Sequence, residues 1–226
     1  IGERIALASA AMLIALIGGR IVPSFPRNWM AKPALAQEPA AQDRFDVAVL
    51  VLTAASLGAW IIGPGYAPIC LALSASGVLV LLRLARWQGW RTTSEPLVLI
   101  LHVGYLWLGL ALILMGASTW ASSNVTPSAG IHALGAGAVG VMTLAIMTRA
   151  TRGHTGRELT APWGTQLIYI LVNAGALARV AAALLPSAYM QLLVASACAW
   201  SAAFALFVLV YGPMLTAPRA SPLQPG

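Results

Sequence analysis

The sequence predicts an all-α, polytopic transmembrane helix bundle with about seven spans. Three observations carry the prediction. Apolar residues make up 59% of the chain and charged residues only 8%, with a mean hydropathy of +0.82, whereas about a quarter of a soluble domain is charged. The apolar runs approach the length of a bilayer crossing and do not alternate, so the backbone closes its hydrogen bonds within helices and not around a barrel. Positive charge recurs at every second loop, as in a chain that crosses a membrane back and forth.

The spans follow in order. The first, 5–22, is rich in Ala and Gly and leads into a loop with Pro23, Pro26, Pro33 and Pro39 that runs to Arg44. The second, 45–62, ends at Gly63-Pro64-Gly65, a strong breaker. The third, 66–84, precedes a basic loop over 86–95 that carries Trp87 and Trp90. The fourth, 96–115, opens with Pro96, which suits a first helical turn. An uncharged connector over 118–128 leads to the fifth, 129–149. The loop 150–162 precedes the sixth, 163–185, and a turn at Pro186-Ser187 leads to the seventh, 189–211. Residues 1–215 form one transmembrane domain in this reading, and 216–226 a disordered cytoplasmic tail.

Charge placement sets the expected topology. Arg20, Arg27, Lys32 and Arg44 flank the first loop, Arg83, Arg86 and Arg91 the third, Arg149, Arg152 and Arg157 the fifth, and Arg219 lies in the tail. Only Arg4 and Arg179 fall outside the alternation. The basic side is expected to be cytoplasmic, with Trp29, Trp87, Trp90, Trp120 and Trp163 forming aromatic belts near span ends. The net charge of +7 is thus explained by topology, and nucleic acid is not an expected partner; the partner is the lipid bilayer. Cys70 and Cys198 stand alone in apolar runs and read as buried free thiols, not as a disulfide framework. The chain opens at Ile1, enters an apolar run at Ile5 and shows no signal-peptide cleavage pattern, so a piece of a longer protein is expected.

Candidate chemistry centres on 131–157, which carries His132 and His154 at the two ends of a glycine-rich apolar run. From Ile131 to Arg149 a helix covers roughly 27 Å, which places the two histidines at opposite membrane faces. His102 lies about 9–10 Å into the fourth span from the cytoplasmic end. An ionisable group at that depth faces the bundle interior. It is either a histidine bonded to a neighbouring helix or an axial ligand of haem or a copper ligand. His132 is either an interfacial helix start or a metal or haem ligand. His102 and His132 differ by about 15 Å along the membrane normal, and metal–nitrogen bonds are about 2 Å, so the two are not expected to share one metal. His154 lies in a solvated loop or, with its flanking arginines, in a clamp for carboxylates.

Arg179, roughly 21 Å into the sixth span, either snorkels outward or needs an anionic partner such as a haem propionate. Asn173 is a second buried polar group of that span. The small residues Ala133, Ala136, Gly137, Gly140 and Val141 allow close helix packing or room for a flat cofactor. Met115, Met142 and Met147 read as core, with soft copper ligation as the alternative.

Five ordered motifs then bear a resemblance. His132, Gly140, Met142-Thr143, Met147-Thr148-Arg149 and Gly153-His154-Thr155-Gly156-Arg157 resemble the signature of NnrS family membrane proteins. Gly18-Gly19-Arg20-Ile21-Val22-Pro23-Ser24-Phe25 with Arg27-Asn28-Trp29 resembles the family's early motif, and Leu101-His102-Val103-Gly104-Tyr105 its middle one. Trp200 and Phe204, then Tyr211-Gly212-Pro213 and Pro218-Arg219, resemble its ending. Pro26 stands where Thr is expected, and Ala220-Ser221 replaces Asp-Gly.

The resemblance implies a bacterial inner-membrane protein of nitric-oxide response that carries haem and copper and is linked to denitrification and nitrosative-stress tolerance. It implies about twelve spans, each of bilayer length, of which this chain is the C-terminal part and the N-terminal half a partner. It also implies His102, His132 and His154 as metal or haem contacts, supported by Arg20, Arg149 and Arg157, with nitric oxide as the ligand. The rival functions are a transporter or cofactor-free scaffold, although no internal repeat favours transport, and a nitric-oxide reductase-like or oxidase-like enzyme. The enzyme needs histidines grouped around two metals, and the three here sit at different depths.

Overall fold

The computed structural model describes residues 1–24, 42–118 and 125–219. Among them it has seven helices long and apolar enough to cross a membrane, and no strand. They are α1 (Gly2–Ile21), α2 (Arg44–Ile62), α3 (Ala67–Arg86), α4 (Pro96–Ala117), α5 (Pro127–His154), α6 (Trp163–Leu184) and α7 (Tyr189–Thr216). The chain is a multi-pass membrane protein. Trp29, Lys32, Trp120 and the residues past Arg219 lie outside the described residues.

Local chemistry sets the helix ends. The Asp43 side chain accepts from the Phe45 and Asp46 amides, and Asp46 returns a bond from the Asp43 amide, so α2 starts on a reciprocal capping box. Gly63 stops it. Pro96 opens α4. α5 runs five residues past the expected end at Arg149, because nothing breaks it until Gly156. There φ is 73°, the Gly156 amide donates to Gly153 O and the Arg157 amide to Arg152 O, the paired bonds of a glycine-terminated helix. His154 therefore ends a helix, not a loop.

Neighbouring helices run antiparallel. At one end Gln42 Nε2 donates to Gly19 O at 2.9 Å, Arg86 pairs with Asp43 at 2.5 Å, and the Thr165 and Tyr211 hydroxyls bond at 2.7 Å. At the other end Arg4 donates to Trp60 O at 3.3 Å and Thr126 to Ala183 O at 3.1 Å. The first of these is the basic end: it holds Arg86, Arg149 and Arg152.

α4 is the axis of the bundle: 67% of its most apolar stretch is buried, against 17% for α7. Two side chains depart from the sequence reading. Cys198, on the outer helix α7, is exposed while Cys70 is buried. Met147 is also exposed, whereas Met115 and Met142 are core. Two stretches packed against α4 widen to π-helix, Ile14–Gly18 in α1 and Ala133–Val139 in α5. Glycines let α4 sit close to its neighbours. A Cβ on Gly77 would lie 2.6 Å from Gly109 O, and one on Gly137 would lie 2.5 Å from the Trp107 ring. The small face of α5 thus serves close packing, with Trp107 in contact with Gly137 and Trp200 with Gly140.

One substitution tests that packing. A Cβ on Gly116 would run into Cys70 O and lie 2.8 Å from the Ser74 amide, and backbone cannot swing aside. Gly116→Ala is expected to destabilise by about 1–3 kcal/mol in thermal unfolding of the detergent-solubilised protein. Gly58→Ala, which meets nothing within 4 Å, should be neutral or stabilising.

Candidate functional site at the basic end of the bundle

His102 sits on α4 and is 5% exposed. It lies six residues after Pro96, so it is about 9 Å from the basic end. Its Nδ1 is 3.1 Å from Val98 O, one turn back on the same helix. A carbonyl only accepts, so Nδ1 carries the proton and donates, and Nε2 is left with a bare lone pair. Nε2 is buried with no hydrogen-bond partner among the described residues. The ring lines an apolar cavity of about 460 Å³ with Leu84, Trp90, Leu99, Val103 and Leu106. The turn after α3 closes over it. Gln88 takes a left-handed conformation (φ 54°) that brings Gly89 against the imidazole, and a Cβ on Gly89 would lie 2.5 Å from His102 Cγ.

Beside this cavity is a polar cluster that sequence reading missed. Arg83, expected as a loop-flanking charge, is 1% exposed. Its Nε donates to Asp46 Oδ1 at 2.6 Å, and its Nη1 to the Tyr105 hydroxyl at 2.9 Å and to Ala15 O at 3.2 Å. Its guanidinium also lies over Trp87, 5.3 Å from the ring centroid. Trp87, expected in an interfacial belt, is 2% exposed and packs on Tyr105 at 4.7 Å between centroids. The cluster joins α1, α2, α3 and α4 and anchors the chain immediately before Gln88 and Gly89. Outside the membrane-spanning segments, the Arg86 guanidinium bonded to Asp43 holds that carboxyl down at about 2.

The other histidines lie elsewhere. His132, half-buried near the start of α5, lines a groove of about 480 Å³ at the opposite end of the bundle, together with Arg179 of α6 and Trp200 of α7. His154 is exposed at the end of α5, about 33 Å along the helix from His132. His102 and His132 line separate cavities, and among the described residues no three His, Cys, Asp or Glu converge on a point that could hold a metal ion.

Residues 1–219 match the family described as NnrS protein. The chain belongs to the NnrS family. That membership supports a membrane protein of nitric-oxide response. No curated protein and no solved structure matches the chain.

The motifs of NnrS resemblance now have positions. From the early motif, Gly19 packs on Arg83, where a Cβ would lie 2.5 Å from Nη1, and Arg20 is exposed beside it. From the middle motif come His102 and Tyr105. From the long motif, Arg149 is half-buried and lines a cavity of about 340 Å³ with Ile21 and Leu101. Arg157 is half-buried, and its Nη1 has no hydrogen-bond partner among the described residues. Arg152, read only as a flanking charge, is buried and orders the chain after α5 by donating to Glu158 O at 2.7 Å and Thr160 Oγ1 at 3.1 Å. Asn173 is satisfied: it accepts from Trp107 Nε1 at 2.9 Å and donates to Tyr169 O at 2.8 Å.

Proposed function

We propose that this NnrS family protein binds haem through Nε2 of His102 and serves nitric-oxide response, in the nitrosative-stress tolerance that accompanies denitrification. The observation that carries the assignment is the buried, unpartnered Nε2 of a histidine that lines an apolar cavity. A buried polar atom without a partner is costly, and a neutral imidazole nitrogen held in this tautomer is a good metal ligand. Haem iron held there would supply a coordination site for nitric oxide.

The chain's own residues do the rest. Val98 O accepts from Nδ1, which fixes the ring orientation and raises the basicity of Nε2. Leu84, Leu99, Val103 and Leu106 give the cavity its apolar walls. Arg20, Arg149 and Arg157, at the same end as His102, are proposed to balance the haem carboxylates, and His154 lies at that end too. Copper, the second metal of the family resemblance, finds no three-donor set of His, Cys, Asp and Glu among the described residues, so the reading rests on haem. We place the protein in the bacterial inner membrane with the basic end and the C-terminus cytoplasmic, from the charge alternation.

His102→Ala is expected to bring haem content and the reduced-minus-oxidised Soret signal of the purified protein close to background. His102→Gly supplied with free imidazole should recover part of the signal. A His102→Ala protein with an unchanged spectrum would defeat the assignment, and a wild-type protein without any Soret band would favour the transporter or scaffold.

A further inference from the structure

We infer that the groove at the opposite end of the bundle, between α5, α6 and α7, is a headgroup site that takes the phosphodiester of an anionic phospholipid through Arg179, with His132 beside it. The site is separate from the His102 cavity and does not rest on the haem reading.

Arg179 is the starting point. It lies on a membrane-crossing helix five residues before its end at Leu184 and is half-buried. Among the described residues its guanidinium has no hydrogen-bond acceptor and no carboxylate within ion-pair distance. The described carboxylates are elsewhere. Asp43 and Asp46 are paired with arginines at the basic end, Glu95 and Glu158 flank helices at that same end, and Glu3 lines a different cavity on α1. Glu38 is outside the described residues. A guanidinium in this setting calls for an anion from outside the chain.

The groove selects the kind of anion. His132 and Arg179 line it together, and a guanidinium next to an imidazole disfavours a metal cation and favours an oxyanion. Ser201 adds a hydroxyl at the exposed edge, while the Ser196 hydroxyl is already engaged with Gly175 O at 2.7 Å. The remaining walls are apolar: Leu193, Ala197 and the Trp200 ring on α7, and Ala136 on α5. Next to the groove, Met190 and Val194 of α7 are 63% and 55% exposed, on a surface that faces hydrocarbon. Five residues of helix put Arg179 about 7–8 Å below the end of α6, a depth from which an arginine reaches a headgroup phosphate by snorkelling. A water-borne anion would meet apolar walls open to lipid. A phospholipid satisfies both parts, with its phosphate on Arg179 and its acyl chains along the outer helices.

The test uses the purified full chain in nanodiscs of mixed phosphatidylcholine and phosphatidylglycerol. Lipids retained after transfer to detergent are counted by native mass spectrometry. Wild type is expected to retain phosphatidylglycerol over phosphatidylcholine by about fivefold, the selectivity that one arginine near an anionic surface supplies. Arg179→Gln should abolish the enrichment and Arg179→Lys should keep part of it, both with the wild-type absorption spectrum. Equal retention of the two lipids by wild type overturns the proposal, as does enrichment that survives Arg179→Gln. Inorganic phosphate that protects wild type against thermal unfolding when phosphatidylglycerol does not would make the site one for a free oxyanion and overturn the lipid. Loss of the haem spectrum in both Arg179 variants would give the residue to the cofactor and overturn it as well. If Arg179→Gln fails to fold, the wild-type lipid ratio and the Arg179→Lys protein decide.

Discussion

Asp46→Ala is expected to destabilise the protein by about 3–5 kcal/mol, because it strands a buried guanidinium. Arg83 and Asp46 have side chains 2% and 7% exposed and meet at 2.6 Å. Without the carboxylate, Arg83 keeps three neutral acceptors, Tyr105 OH, Ala15 O and Gly19 O, but loses its counter-charge. Arg83→Met with Asp46→Leu removes both charges and should be much milder than Asp46→Ala alone, since replacing a buried pair by apolar groups of similar size is often close to neutral. Thermal unfolding of wild type, Asp46→Ala and the double variant in one detergent measures the difference. If the double variant were as unstable as Asp46→Ala, the loss would lie in packing and not in the stranded charge. The consequence extends to the π-helical stretch of α1, whose Ala15 O accepts from Arg83, and to the turn over His102, which starts one residue after Trp87.

The spans were legible because a bilayer demands apolar runs of a set length, and every span predicted from the sequence has its helix. The interior charges were not, because Arg83 near a span end looks the same whether it points at lipid headgroups or at Asp46. A signal was nonetheless present. Asp46 stands eighteen residues before Pro64 and Arg83 nineteen after it, while Asp43 stands twenty-one before and Arg86 twenty-two after. In an antiparallel hairpin turning at Pro64, each carboxylate is level with its arginine, and both pairs form. His102 was legible as a buried ionisable group, and its separation from His132 followed from depth alone. That its free nitrogen would be Nε2 was not legible, because this depends on the Val98 carbonyl and on the Gln88-Gly89 turn. Nor could hydropathy place Arg179 in a groove with His132, since the two are forty-seven residues apart and meet through the packing of three helices.

Gly89→Ala should separate the His102 site from the stability of the bundle. Nδ1 is held by Val98 O, so the imidazole cannot retreat from a new Cβ without giving up that bond. The Cβ would lie 2.9 Å from Nε2 itself, and the left-handed Gln88 keeps the turn from backing away. The ring must tilt, and the lone pair then no longer points where it did. Disturbing the groups that orient a ligating histidine typically costs 10–100-fold in metal affinity, so, on the haem ligation proposed for His102, haem affinity is expected to fall by about that factor. Gly135→Ala is the control: its Cβ meets nothing within 4 Å, and haem content should be unchanged. A Gly89→Ala protein that keeps both its haem content and its Soret position would mean that the turn does not orient the ligand. If haem fell while the unfolding temperature stayed within a few degrees of wild type, the turn would be the device that aims Nε2, which ties the buried ion pair through Trp87 to the chemistry at His102.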